Sequence, residues 1–311
     1  MHRTLAAILG LLLFAASPSV HAQLTYTVNP DGNSVTVTGY TGTPSALTIP
    51  TNINGLTVTS IGASAFSGCY SLASVTIPGS VTGIEAGAFN DCTALASVTI
   101  PGSVTGIGEQ AFCNCSALAS VGIGNGVASI GEAAFLYCTA LASVTIPGSV
   151  SSLGEGAFYD CTALASVTVP GSVTSLGEEV FGYCSNLTNV FFTGNAPVAD
   201  STAFDSDDRA TVYYLPGTTG WSQFISEVGV PGVLWNPQVL SQGSFFGVRN
   251  DLFGFVITGN ASIPVVVEAC CNLASPVWSP LQAFALTNGL VYFADPQWTN
   301  YPRRFYRLSS Q

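Results

Sequence analysis

Residues 100–122 read IPGSVTGIGEQAFCNCSALASVG, and close variants of this stretch follow one another through the middle of the chain with a period of 23 residues. An Ala-Phe pair marks each copy: Ala65-Phe66, Ala88-Phe89, Ala111-Phe112, Ala134-Phe135 and Ala157-Phe158, then Val180-Phe181 and Ala203-Phe204. A fixed period of this length predicts a solenoid in which every copy is one coil stacked on the last. Leu95, Val98 and Ile100 read as a strand with Val98 and Ile100 facing inward. Pro101-Gly102 turns the chain, and Glu109 to Cys115 reads as a helical turn with Phe112 and Cys115 on one face. One such unit cannot enclose its own apolar side chains, so neighbours must cover it and both ends need caps.

The arrangement resembles the leucine-rich repeat, whose LxxLxLxxNxL pattern corresponds to Leu95, Val98, Ile100 and Val104. More closely, IPGSVTxIGExAFxxCxxLxSVTIP is similar to the BspA-type subfamily of bacterial surface and secreted proteins, over about residues 47 to 216. One departure is that Ser80, Ser103, Ser149 and Ser172 stand where the general family has Asn, so a shorter side chain or water must satisfy the turn. The resemblance implies an α/β leucine-rich repeat solenoid, surface display, and protein binding or adhesion, with no cofactor and no substrate.

Around the repeats, residues 1–22 read as a signal peptide: Arg3, an apolar run from Leu5 to Ala16, and small residues ending at Ala22. No later window has the roughly 18 uninterrupted apolar residues of a membrane span, which predicts a secreted or cell-surface protein. Residues 23–60 read as an N-terminal cap, with a hairpin from Leu24 to Val28 and Ser34 to Gly39. The solenoid is expected over 61–216, and a cap and linker over 217–236, where Trp221 and Phe224 cover the open end. Residues 237–311 read as a small β-sandwich, with strands at Phe253 to Thr258, Pro264 to Glu268, Leu290 to Phe293 and Arg304 to Leu308.

Composition excludes much chemistry. Both histidines, His2 and His21, lie in the leader, and the chain has no lysine. Nucleophile pairs with His, His zinc sites, lysine Schiff bases and Walker-type phosphate loops are therefore excluded from the mature protein. No cation lies between Arg3 and Arg209, so the repeats cannot neutralise phosphates and nucleic acid is not an expected partner. The formal net charge is −11 and charged residues make up 7% of the chain, so Ser, Thr, Asn and Gly must supply the solubility. The mean hydropathy of +0.46 reflects small apolar side chains packed between coils.

Cys69, Cys92, Cys115, Cys138, Cys161 and Cys184 share the period and read as a buried thiol ladder rather than a disulfide framework, because stacked Cβ vectors run parallel. Cys113 is expected to face outward, and Cys270-Cys271 to face opposite sides of a strand. Glu109, Glu132, Glu155 and Glu178 form an acidic column read as favouring a short helix's dipole, while Asp205, Asp207 and Asp208 lack the spacing of a calcium loop. No metal or catalytic residue is assigned, and the chain is read as a non-enzyme.

The outward side chains of the strand face are Ser74, Ser97, Ser120, Ser143 and Ser166 beside Thr76, Thr99, Gly122, Thr145 and Thr168. This hydroxyl ladder, with Phe191 and Tyr214 continuing the Thr column as an aromatic patch, is the candidate surface for a protein partner such as a host, envelope or matrix protein. Two other readings compete: a rigid spacer presenting the C-terminal module, and ice binding through Ser-x-Thr rows, which Gly122 interrupts.

Overall fold

A computed structural model of the chain describes residues 23–42, 45–241, 246–249, 251–259, 264–286 and 289–309. The leader expected at 1–22 lies outside the described residues. The chain divides into two compact units: one holds the chain to Val212 together with Thr218–Gly232, and the other holds Tyr213–Gly217 and the chain from Val233 onward.

In the first unit each 23-residue copy is one coil, and two parallel sheets run along the stack. One sheet contains Ala46–Thr48, Ser74–Thr76, Ser97–Ile100, Ser120–Ile123, Ser143–Thr145, Ser166–Val169 and Asn189–Phe192 in that order. Its register is the sequence period itself: Ser97 pairs with Ser120, Ser120 with Ser143, and Ser143 with Ser166. The other consists largely of two-residue strands such as Gly106–Ile107, Ser129–Ile130 and Ser152–Leu153, which send Ile107, Ile130 and Leu153 into the core.

The Phe residues form one continuous interior stack. From Phe66 to Phe204 successive ring centroids lie 5.0, 5.1, 5.4, 5.4, 5.7 and 5.5 Å apart, and none of the rings is more than 4% exposed. Near-parallel rings at this spacing combine large apolar burial with an aromatic contact in every coil. The thiol ladder runs in the core beside it: Cys92, Cys115, Cys138, Cys161 and Cys184 are fully buried. Each Sγ donates to the carbonyl oxygen of the Phe 26 residues earlier, at 3.1–3.3 Å. Burial pushes the thiols of Cys138, Cys161 and Cys184 up, and that of Cys69 to about 11.

The expected helical turn is instead a run of successive β-turns. In the coil around Phe112, Ala111, Cys113 and Cys115 donate to the residue three earlier, whereas Gln110, Phe112 and Asn114 donate to the next coil. The alternation arises because Gln110 and Asn114 have left-handed backbones (φ 53° and 55°), which turn every second N–H outward along the stack and break any helix. Gly108 fits the same close packing, since a Cβ there would lie 2.6 Å from the carbonyl carbon of Glu85. The Ser substitutions divide: Ser103 and Ser149 donate to the carbonyls of Val81 and Val127 at 2.6 Å, whereas the buried hydroxyls of Ser80 and Ser172 meet no partner among the described residues.

At the N-terminal end Gln23–Val28 and Ser34–Thr41 pair as an antiparallel hairpin, and the second strand pairs in parallel with Leu56–Ile61. Tyr40 from this hairpin stands 5.8 Å from the first ring of the stack, Phe66. Beyond the last coil lies a helix, Trp221–Val228, that periodicity did not reveal. Glycines in left-handed conformation, Gly220 and Gly229, bound it, and its buried Trp221 and Phe224 rings lie 5.2 and 5.5 Å from Phe192.

The second unit is all β. One sheet contains Gln238–Leu240, Gly247–Arg249, Leu252–Thr258 and Leu290–Asp295; the other contains Pro264–Cys270, Ser279–Ala285 and Phe305–Ser309. Phe255, Phe293 and Tyr306 meet in its core with centroids 5.0–5.9 Å apart. Arg304 and Asp295, both nearly buried, form an ion pair at 3.1 Å, and the Tyr306 hydroxyl donates to the same carboxylate at 2.9 Å. Cys270, the last residue of its strand, is buried, while Cys271 lies just past the strand end and is exposed, so the two are not strand neighbours as expected.

Candidate functional site

The strand face is a ladder of hydroxyls because strand alternation sends Val75, Val98, Val121 and Val144 inward and the residues between them outward. Ser74, Thr76, Ser97, Thr99, Ser120, Ser143 and Thr145 are exposed, and Ser166 and Thr168 are half-buried. The result is a polar, uncharged surface fixed by backbone hydrogen bonds.

The aromatic patch at its end is different from the sequence expectation. Phe191 pairs with Thr168 in register yet is fully buried, so it offers no contact surface. Tyr214 remains half-buried. Strand alternation sets the direction of a side chain but not what lies over it. Cys113 is likewise buried rather than outward, and burial raises its pKa. The coils close tightly around it: the Asp91 N–H donates to its carbonyl at 2.9 Å and the Asn114 N–H donates to that of Leu136 at 2.7 Å.

Exposed aromatic rings occur on another edge of the coils, along the turns. Tyr137 and Tyr183 are 43% and 44% exposed, and Tyr159 stands between them with ring centroids 6.1 and 5.1 Å away. Asp160 and Glu179 accompany these rings. The Tyr159 hydroxyl is held above its ordinary value by burial first, and then by Tyr183, Glu179, Tyr137 and Asp160. Burial also raises Asp160. Sequence reading missed this ridge because Tyr159 sits one column away from Tyr137 and Tyr183, so no 23-residue spacing links all three.

The acidic column at Glu109, Glu132, Glu155 and Glu178 is exposed, and with no helix behind it the dipole reading does not apply. The related Glu85 shows what such a side chain can do: it accepts from Ser60 Oγ at 2.9 Å and from the Ala63 N–H at 3.1 Å. Asp207 is buried in the last coil while Asp205 and Asp208 are exposed. Among the described residues no three His, Cys, Asp or Glu side chains gather as a metal site would require. No described helix is long and apolar enough to cross a membrane. In the second unit a cavity of about 540 Å³ is lined by Phe246, Phe253, Trp298, Tyr301, Arg304 and Tyr306 among others.

Residues 45–131 and 117–219 match the model of the BspA type leucine rich repeat region, in six copies. No curated protein matches the chain. Among solved structures, a leucine rich repeat protein from T. pallidum is 25% identical, with 68% of this chain and 95% of that one covered and a TM-score of 0.47. A leucine-rich repeat protein from Bacteroides ovatus is 21% identical over 68% of this chain and 74% of that one, with a TM-score of 0.36. A leucine rich cell surface protein from Faecalibacterium prausnitzii is 20% identical over 70% and 95%, with a TM-score of 0.27.

Proposed function

Because this chain belongs to the BspA-type leucine-rich repeat family, we propose that it is an exported, non-enzymatic scaffold that binds protein partners at the cell surface or beyond it. Export follows from the leader at 1–22, and the rest divides into a cap (23–60), repeats (61–216), a second cap and linker (217–236) and a β module (237–311). The observation that supports binding is the strand face, where Ser and Thr side chains of successive coils stand exposed and in unbroken parallel register. Such a face suits a broad, wet contact with a host, envelope or matrix protein, in which shape rather than a deep pocket carries recognition. Ser74, Thr76, Ser97, Thr99, Ser143, Thr145, Ser166 and Thr168 would make that contact. Immobilised envelope or matrix proteins test it: capture should fall at least about tenfold for Thr99→Arg/Thr145→Arg, whose side chains are exposed and whose folding should be unaffected. Unchanged capture removes the strand face from binding.

The aromatic-lined cavity favours a second reading, a rigid spacer that presents the C-terminal module. Deleting residues 100–145, two whole coils, should leave capture intact for a spacer and weaken it for a repeat-borne surface.

A further inference from the structure

The turn edge carries a feature that a generic scaffold does not need. Tyr137 and Tyr183 occupy left-handed backbone positions (φ 59° and 60°), in a column that elsewhere holds Gly68, Asp91, Asn114, Asp160 and Ser206. Glycine, Asn or Asp would fit that conformation with less strain than a bulky ring. The rings are also left in solvent rather than packed into the core. Asp91 in the same column is held by Asn114 Nδ2 at 2.6 Å. By contrast, no hydrogen bond or ion pair reaches the carboxylates of Asp160 and Glu179 among the described residues.

Charge surrounds this ridge on one side of neutrality only. From Glu85 to Asp208 there are twelve acidic residues and no Lys or Arg. Cations bind ring faces by attraction to the quadrupole, and guanidinium pairs well with carboxylate, so rings and unpaired acids together select one ligand chemistry.

Resting on the scaffold reading, the geometry points to the Tyr137–Tyr159–Tyr183 ridge with Asp160 and Glu179 as a docking site for an extended, arginine-bearing segment of a partner protein. The ring centroids, 6.1 and 5.1 Å apart, lie near enough to the spacing of about 6.6–6.8 Å between alternate residues of an extended strand for two successive arginines to reach neighbouring rings. Tyrosine and arginine are also the side chains that dominate interface energetics.

Fluorescence anisotropy with a dye-labelled octapeptide of alternating arginine and serine, beside its glutamate counterpart, tests this on the mature protein. Wild type should bind the arginine peptide and not the glutamate one, more weakly at about 300 mM than at about 50 mM salt. Tyr137→Asn/Tyr183→Asn, which keeps residues suited to a left-handed backbone, should weaken binding about tenfold, while Tyr137→Phe/Tyr183→Phe should stay within about twofold because the ring faces persist. Asp160→Asn/Glu179→Gln should weaken it about tenfold, but Glu109→Gln/Glu132→Gln, equal in charge and not among the charges that act on Tyr159, should not. Equal losses from the two acid pairs would reduce the effect to the general negative field and overturn the site. Full binding by Tyr137→Asn/Tyr183→Asn, or no arginine-peptide binding by wild type, would also overturn it. Because protein capture through Thr99 and Thr145 is measured separately, failure here leaves the scaffold reading to stand or fall on that result.

Discussion

Asp207 offers a pH test of how the last coil is built. It occupies the cysteine column, is 3% exposed, and neither carboxylate oxygen has a hydrogen-bond partner among the described residues. Its pKa is pushed from 3.8 up to about 8, by burial first and by the charges of Asp205 and Asp208, with the Cys184 backbone offsetting part. The folded state therefore keeps the proton over a range where the unfolded chain has lost it. Stability is fully present below about pH 4, falls as pH rises, and stops falling above about pH 8. At about 1.4 kcal/mol per unit, that window amounts to roughly 5–6 kcal/mol for global unfolding, an upper figure because local opening of the terminal coil relieves the charge sooner. Asp207→Asn removes the titration with little change of shape. The assay is urea unfolding of wild type and variant at several values from about pH 4 to pH 9, taking the difference so that other groups cancel. The variant's advantage should grow with pH to about pH 8 and then level off. A difference that stays constant with pH would refute the burial of an unpaired carboxylate.

Other outcomes follow from the same packing. Phe135→Ala, in the middle of the ring stack, should lower unfolding free energy by about 3–5 kcal/mol in urea titrations. Gly126→Ala should destabilise by about 1–3 kcal/mol, because its Cβ would collide with the Gly102 carbonyl of the preceding coil; thermal melting reads this directly. In the native protein a thiol reagent should label exposed Cys271 first and leave Cys92, Cys115, Cys138, Cys161 and Cys184 unreacted until the chain is unfolded, since the core shields them from the reagent.

Periodicity made the core legible. The recurrence of Phe, Cys, Leu and Val at one spacing placed the ring stack, the thiol ladder and the strand face before any coordinates were needed. What it did not show follows from physics that a period does not encode. Gln110 and Ala133 adopt left-handed backbones that their side chains do not advertise, so a run of turns read as a helical turn. The helix Trp221–Val228 lies beyond the repeats and is only eight residues long. Ser279–Ala285 is largely exposed and lacks the β-branched residues that signal a strand. Phe191 follows Thr168 in strand register, but it is fully buried, and a repeat period does not encode what lies over a side chain. The tyrosine ridge arises from two columns meeting at the surface, which only three-dimensional stacking reveals.

The central claim is that residues 100–122 form one interchangeable coil, since Gly122 and Ile123 pair in register with Thr99 and Ile100. Deleting those 23 residues should give a protein that still unfolds cooperatively in urea, with Phe89 restacked directly on Phe135. Deleting only residues 100–111, which breaks a coil midway, should abolish that transition. If both deletions unfold the chain equally, the coils are not repeating units of one spine and the account fails.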